Sequence, residues 1–329
     1  METTIYDLTI IGGGPVGIYG AFYAGMHGLK VKIIDALPQL GGQLAALYPE
    51  KYIYDLPGYP QIKASEMVDM LLQQMNKYQD KIDYVGNTTV KDVKKQEDET
   101  FKICTDHICH LSRSVIVTAG NGAFKPRPLG IPQEEEQKNI HYFVSDMSKF
   151  KDKRVAIFGG GDSALDWALM LEDVAEKVTL IHRRDEFRAH QSSVDKLKAS
   201  TVEILTPYNI ESIKEENQVI QSFNVKHAIT GEVETREVDD VIVLFGFISS
   251  LGSIKDWEIE LEKNALRVNR QQQTSISGIF AAGDACTYEG KIKMITAGFG
   301  EMVVAVNAAS MYAHPERKQV HRHSSTLQK

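Results

Sequence analysis

Two glycine clusters hold most of the chemistry this sequence is equipped to do. The first, Gly12-Gly13-Gly14-Pro15-Val16-Gly17, follows the apolar run Leu8 to Ile11 and leads into a helical pattern that reaches Gly28. In such a strand, turn and helix, Gly12 permits the tight turn, Gly14 lets the backbone approach a pyrophosphate, and Gly17 lets the helix pack on the sheet. With Pro15 among them, these residues aim the helix's first N–H groups at negative charge. Asp35 ends the next apolar run, 18 residues past Gly17, where a carboxylate accepts hydrogen bonds from an adenosine ribose. Glycine turns also join strands to helices in proteins without nucleotides, but strand, helix and acid together favour the dinucleotide.

The second cluster repeats the first. Val155 to Phe158 is apolar, Gly159-Gly160-Gly161-Asp162-Ser163-Ala164 turns, Leu165 to Val174 reads as a helix, and Val178 to Ile181 as the following strand. Gly12 to Asp35 and Gly159 to His182 both span 23 positions, so the register is shared. Where the first copy has its acid, the second has His182, then Arg183 and Arg184, with Arg188 one turn on. An acid there repels a 2′-phosphate whereas guanidinium groups clamp one, so this site is expected to take NADPH, through Gly159, Gly161, Asp162, Ser163, Ala164, Arg183, Arg184 and Arg188. A solvated basic surface is the alternative.

A third signal is Gly278-Ile279-Phe280-Ala281-Ala282-Gly283-Asp284, a strand ending in glycine and aspartate. Such an ending brings a carboxylate, Asp284, to a ribityl and pyrophosphate linkage, which with the N-terminal unit assigns FAD to the first site. Between them lies Leu40-Gly41-Gly42-Gln43, either a surface turn or a loop that sets Gln43 and Tyr48 beside a planar ring.

The elements that must position these groups follow from the pattern. Ala64 to Tyr78 has helical spacing with a buried face, Thr88 to Val117 resembles a β-meander, and Thr296 to Tyr312 forms a glycine-started helix. Thr118 to Gly122 is a candidate boundary, and Phe245-Gly246 a return crossing. The expected fold class is α/β: two Rossmann-like dinucleotide-binding domains, each with a β-meander. The FAD domain is split (1–119 and 247–329) and the NADPH domain (120–246) is inserted, with a hinge at the joints. Glu134-Glu135-Glu136 reads as a solvated surface, and the tail from His314 as disordered.

The chain has 329 residues, enough for two cores, and a net charge of −7 argues against nucleic-acid binding. Met1 to Asp7 is polar and the apolar run behind it is broken by glycine, so no leader or membrane span is expected and the cytoplasm is. Cys104, Cys109 and Cys286 form no CxxC. No disulfide framework, structural zinc or other metal site is therefore expected, and Cys104 and Cys109 read as buried or turn residues.

Together, Gly12 to Gly17, Gly159 to Ala164, His182-Arg183-Arg184 with Arg188, and Gly283-Asp284 resemble the low-molecular-weight thioredoxin reductases over nearly the whole chain. One part is missing. Where those enzymes carry a CxxC pair, this chain has Tyr142-Phe143-Val144-Ser145-Asp146, which cannot relay electrons by thiol exchange. With Leu40 to Gln43, Ala119 to Pro126 and a His-Ser-Ser-Thr tail, the chain resembles the thioredoxin-reductase-like ferredoxin-NADP reductases. The resemblance implies a homodimer with FAD contacts at Asp35, Gln43, Tyr48, Val90, Phe124, Asp284 and Ser325 or Thr326. It also implies Tyr48 on one flavin face and His323 on the other, which would order the tail. No side chain need act as acid, base or nucleophile. The resemblance further implies that NADPH gives a hydride to FAD, which passes electrons singly to ferredoxin or flavodoxin. The alternative is an NADPH-dependent flavoprotein reductase of a quinone or a separate disulfide carrier.

Overall fold

The computed structural model describes residues 4–120, 122–144 and 146–317, with the backbone alone at 123–125 and 247–250. The chain divides into two compact units, Met1–Ala123 with Ser249–Lys329, and Phe124–Ile248.

The first unit is organised on a five-stranded sheet in the order Ile279–Ala281, Val115–Val117, Leu8–Ile11, Val31–Ile34, Ile82–Val85. Every pairing is parallel. The four strands other than the edge strand Ile82–Val85 are buried along their whole length, which is why they read as largely apolar segments without alternation. One face meets helices Pro15–Met26, Ala64–Met75 and Ile295–Ala313, through Ile10, Ile33 and Phe280 against Ile18, Leu71, Met302 and Val306. The other packs Ile11, Val115 and Ile279 on Val93, Phe101 and Ile103 of the meander. The sheet order reverses beside Leu8–Ile11, so its carboxyl end is the crevice where open α/β sheets bind ligands.

The meander is Val90–Lys95, Phe101–Thr105 and Cys109–Ser112, all antiparallel, with Ile5–Tyr6 added in parallel at its edge. Val115–Val117 belongs to the parallel sheet instead. The structure also overturns the reading of the cysteines. Cys104 and Cys109 lie directly opposite across the hairpin and form a disulfide. The turn between them sets the strand register, and that register, not a spacing motif, brings the sulfurs together.

The second unit repeats the plan: Ile140–His141, Asp240–Leu244, Arg154–Gly159, Lys177–Ile181 and Glu203–Leu205 form a five-stranded parallel sheet. Its meander is Tyr208–Glu216, Val219–His227 and Val233–Glu237. Helix Asp162–Leu171 begins three residues before the apolar pattern suggests, because Gly161, in extended conformation, supplies its N-cap. Glu134 is a second correction, since it is buried rather than solvated. Its carboxylate accepts from the Leu129, Gly130 and Ile131 N–H groups and from the Tyr142 hydroxyl, satisfying a loop no strand pairs. Only Glu135 and Glu136 face solvent.

Candidate functional site

In the first unit the glycine turn is closed by contact with its neighbours. Gly12 has φ +114°, and a Cβ there would stand 2.5 Å from the Thr118 carbonyl oxygen. Thr118 Oγ1 donates to the Gly12 carbonyl at 2.7 Å, tying the ends of two adjacent strands. A Cβ on Gly17 would meet the Gly12 oxygen at 2.0 Å, so the helix rests on the turn that begins it. Gly14, the N-cap residue, has nothing nearer its Cβ position than Gly42 Cα at 4.0 Å, and Pro15 fills the first helical position.

Asp35 is buried, and its carboxylate accepts from the Gly13 N–H and, at 2.7 Å, from the Leu37 N–H. Burial pushes its pKa up while those two donors pull it down. Asp35 therefore braces the glycine turn itself. The loop at Leu40 to Gln43 docks on the same turn, the Gly41 N–H donating to the Gly13 carbonyl at 2.8 Å. Gln43 lies near Gly120, whose Cβ would be 3.8 Å from Gln43 Nε2, and the Tyr48 hydroxyl makes a long 3.5 Å contact with Gln43 Oε1. Burial, then the Asp284 charge, raise the Tyr48 phenol pKa, which keeps its proton on and places Tyr48 and Asp284 in one neighbourhood. Asp284 sits in the short 3-10 turn Gly283–Ala285.

The structure thus brings together Gly12, Gly14, Pro15, Gly17, Asp35, Gln43, Tyr48 and Asp284. Val90 is 4% exposed within the core under the sheet, and its carbonyl accepts from the Ser253 hydroxyl. His323, Ser325 and Thr326, like the Phe124 side chain, lie outside the described residues. Thr118 was read only as part of a domain boundary, Gly42 only as part of the Leu40 to Gln43 loop, and Glu301 not at all. Thr118 had a signal, as the residue closing the strand Val115–Val117; Glu301 had none.

Three glycine-rich segments of the first unit meet closely, the backbone-lined kind of cradle that a pyrophosphate linkage requires. Val16 Cγ2 would meet a Cβ on Gly283 at 3.3 Å and one on Gly298 at 2.6 Å, so the glycine turn, the Gly-Asp turn and the start of helix Ile295–Ala313 converge with no room for side chains.

In the second unit the same geometry recurs. His182 stands to Gly160 as Asp35 does to Gly13: a Cβ on Gly160 would meet the His182 ring at 2.2 Å. The ring stacks on Phe187 with centroids 5.5 Å apart. Burial lowers its pKa, with the nearby guanidinium groups adding to that and the Glu186 carbonyl opposing it. Arg188 N–H donates to the Gly160 carbonyl at 2.7 Å, which folds the arginine segment against the turn. Arg183, Arg184 and Arg188 are exposed, and among the described residues no ion pair engages them. Asp162, in the first turn of its helix beside Ser163 and Ala164, accepts from the His190 N–H at 2.9 Å.

Among the described residues no cluster of three or more metal-ligating side chains occurs, and no helix is long and apolar enough to cross a membrane.

Residues 6–310 match the family model described as pyridine nucleotide-disulphide oxidoreductase. The chain is 54% identical over 326 residues to ferredoxin–NADP reductase 2 of Bacillus cytotoxicus, covering 98% of both chains. It is 51% identical over 328 residues to the ferredoxin–NADP reductase of Geobacillus thermodenitrificans, covering 99% of this chain and 98% of that one. Among solved structures, the thioredoxin reductase of Lactococcus lactis superposes with a TM-score of 0.72 at 26% identity, over 94% of this chain and 99% of that one.

Proposed function

This chain belongs to the pyridine nucleotide-disulphide oxidoreductase family, and from that premise we propose that it is a ferredoxin–NADP reductase using FAD and NADPH. The observation that carries the proposal is identity of about half over nearly the full length of two ferredoxin–NADP reductases. The thioredoxin reductase likeness gives the frame, and the missing thiols at Tyr142 to Asp146 remove the internal dithiol relay.

In this proposal the first unit holds FAD. The N–H groups at the start of helix Pro15–Met26 face the pyrophosphate, Asp35 the adenosine ribose, and Asp284 the ribityl linkage. Gln43 and the un-ionised Tyr48 flank the ring; the further contacts that the resemblance implies, His323 at the opposite face and Ser325 or Thr326, lie outside the described residues. Bound FAD supplies the conversion between a hydride and single electrons, which no amino-acid side chain performs. The second unit holds NADPH, with Gly159 and Gly161 near its pyrophosphate and Arg183, Arg184 and Arg188 around the 2′-phosphate. The protein's work is to bind, orient and shield, and no side chain needs to exchange a proton. A homodimer, with ferredoxin or flavodoxin as the acceptor, completes the proposal, and the cytoplasm is its compartment.

One assay compares reduction of ferredoxin, flavodoxin, a soluble quinone and thioredoxin by the holoenzyme with NADPH. Fastest turnover with ferredoxin or flavodoxin supports the assignment. Preference for thioredoxin or the quinone replaces it with the broader flavoprotein reductase.

A further inference from the structure

Helix Ile295–Ala313 carries one carboxylate that the proposed chemistry leaves without a task. Glu301 is 6% exposed, yet it gathers donors from one short stretch of chain. Oε2 accepts from the Gly283 N–H at 2.8 Å, and Oε1 accepts from the Tyr288 hydroxyl at 2.6 Å and from the Lys291 ammonium. The Cys286 thiol lies 3.6 Å from Oε2 and donates to the Gly283 carbonyl at 3.3 Å. Burial, with the Glu301 charge next, pushes that thiol up to about 12, so Cys286 stays a donor and is no nucleophile. The Lys291 and Glu301 side chains are each 5% exposed.

A buried ion pair is a poor device for stability alone, because apolar residues of similar volume serve the fold as well or better. What this arrangement does is local. The donors to Glu301 come from the segment 283–291, so that segment is gathered onto one side chain of a helix. Gly283, with φ +72°, is the residue before Asp284. Glu301 lies three positions beyond Gly298, hence on the same helix face, one turn below the point where Val16, Gly283 and Gly298 meet.

We infer that Glu301 is a positioning residue for FAD: it holds the Gly283-Asp284 turn against the glycine turn, so that Asp284 is in place before the cofactor arrives. The inference rests on the assignment of FAD to the first unit. It gives Tyr288 and Lys291 supporting parts, the hydroxyl and the ammonium fixing the Glu301 rotamer that receives Gly283.

The test uses the full chain stripped of flavin and titrated with FAD, following fluorescence quenching. Removing Glu301 alone would strand the Lys291 charge, so the main variant is Lys291→Met with Glu301→Leu, which keeps volume and removes both charges. Because it leaves the Gly283 N–H and the Tyr288 hydroxyl without their acceptor, it is expected to stay folded but melt below the parent, and to bind FAD about tenfold or more weakly, the effect of losing a charge-assisted hydrogen bond at the site. Glu301→Gln, which keeps an acceptor for Gly283, is expected to fall between the two. Should the double variant fail to fold, Tyr288→Phe, which deletes one hydroxyl, carries the test with a smaller loss of the same sign. If the parent binds FAD and every folded variant binds it as tightly, the positioning role is refuted while the FAD assignment stands. A parent that takes up no FAD refutes both.

Discussion

Coenzyme choice offers the sharpest single perturbation, Arg183→Ala. The Arg183, Arg184 and Arg188 side chains are exposed, and the backbone bond from Arg188 to Gly160 holds their segment beside the second glycine turn. Because no described ion pair uses Arg183, its removal should leave the fold intact and take away one guanidinium from the 2′-phosphate. A hydrogen bond between charged groups contributes about 1.5–3 kcal/mol, so NADPH should bind roughly 10- to 100-fold more weakly. NADH has no 2′-phosphate and serves as the internal control. Calorimetric titration of wild type and variant with each coenzyme reads both effects. Equal weakening of NADPH and NADH, or no weakening of either, refutes the assignment of these arginines.

Three further outcomes follow from the geometry. Gly17→Ala places a methyl 2.0 Å from the Gly12 carbonyl oxygen, a clash with backbone that no rotamer relieves, and should yield protein that is flavin-free or insoluble; normal flavin content would contradict the turn's role. Thiol counting in denaturant should find Cys286 alone before reduction and all three cysteines after it, whereas three at the outset would contradict the Cys104–Cys109 bond. Burial alone would raise the Glu203 carboxyl, but hydrogen bonds from Arg236, Lys177 and Thr179 outweigh it and hold its pKa at about 2 against the usual 4.5. The unfolded chain then binds more protons across that window, so the stability Glu203 contributes is present above pH 4.5 and lost as pH falls toward 2. Melting temperatures across that range should converge for wild type and Glu203→Gln, and parallel curves would refute the ion cluster's contribution.

Much of the architecture was legible because its requirements are local. Gly12 and Gly17 are glycines because a carbonyl oxygen occupies the space a Cβ would take, and the same demand at Gly159 made the second unit visible in the same register. The central parallel strands announced themselves as apolar runs, whereas the edge strands Ile82–Val85, Ile140–His141 and Glu203–Leu205, short or carrying polar residues, did not. What stayed hidden depends on which segments meet. The Cys104–Cys109 bond follows from hairpin register, and Glu134 was masked by two exposed glutamates beside it. The Glu301 cluster joins residues 10 to 18 positions away in sequence through a turn that no motif marks. The resemblance gives Val90 as an FAD contact; its side chain is in the core, so a contact there falls to its backbone.

The most direct measurement is the visible absorbance of the purified protein as NADPH and then oxidised ferredoxin are added without oxygen. The flavin band should be present at the start, fade with NADPH and return with ferredoxin. A colourless protein that takes up no FAD, or a flavin band that NADPH leaves untouched, would contradict the two-site account.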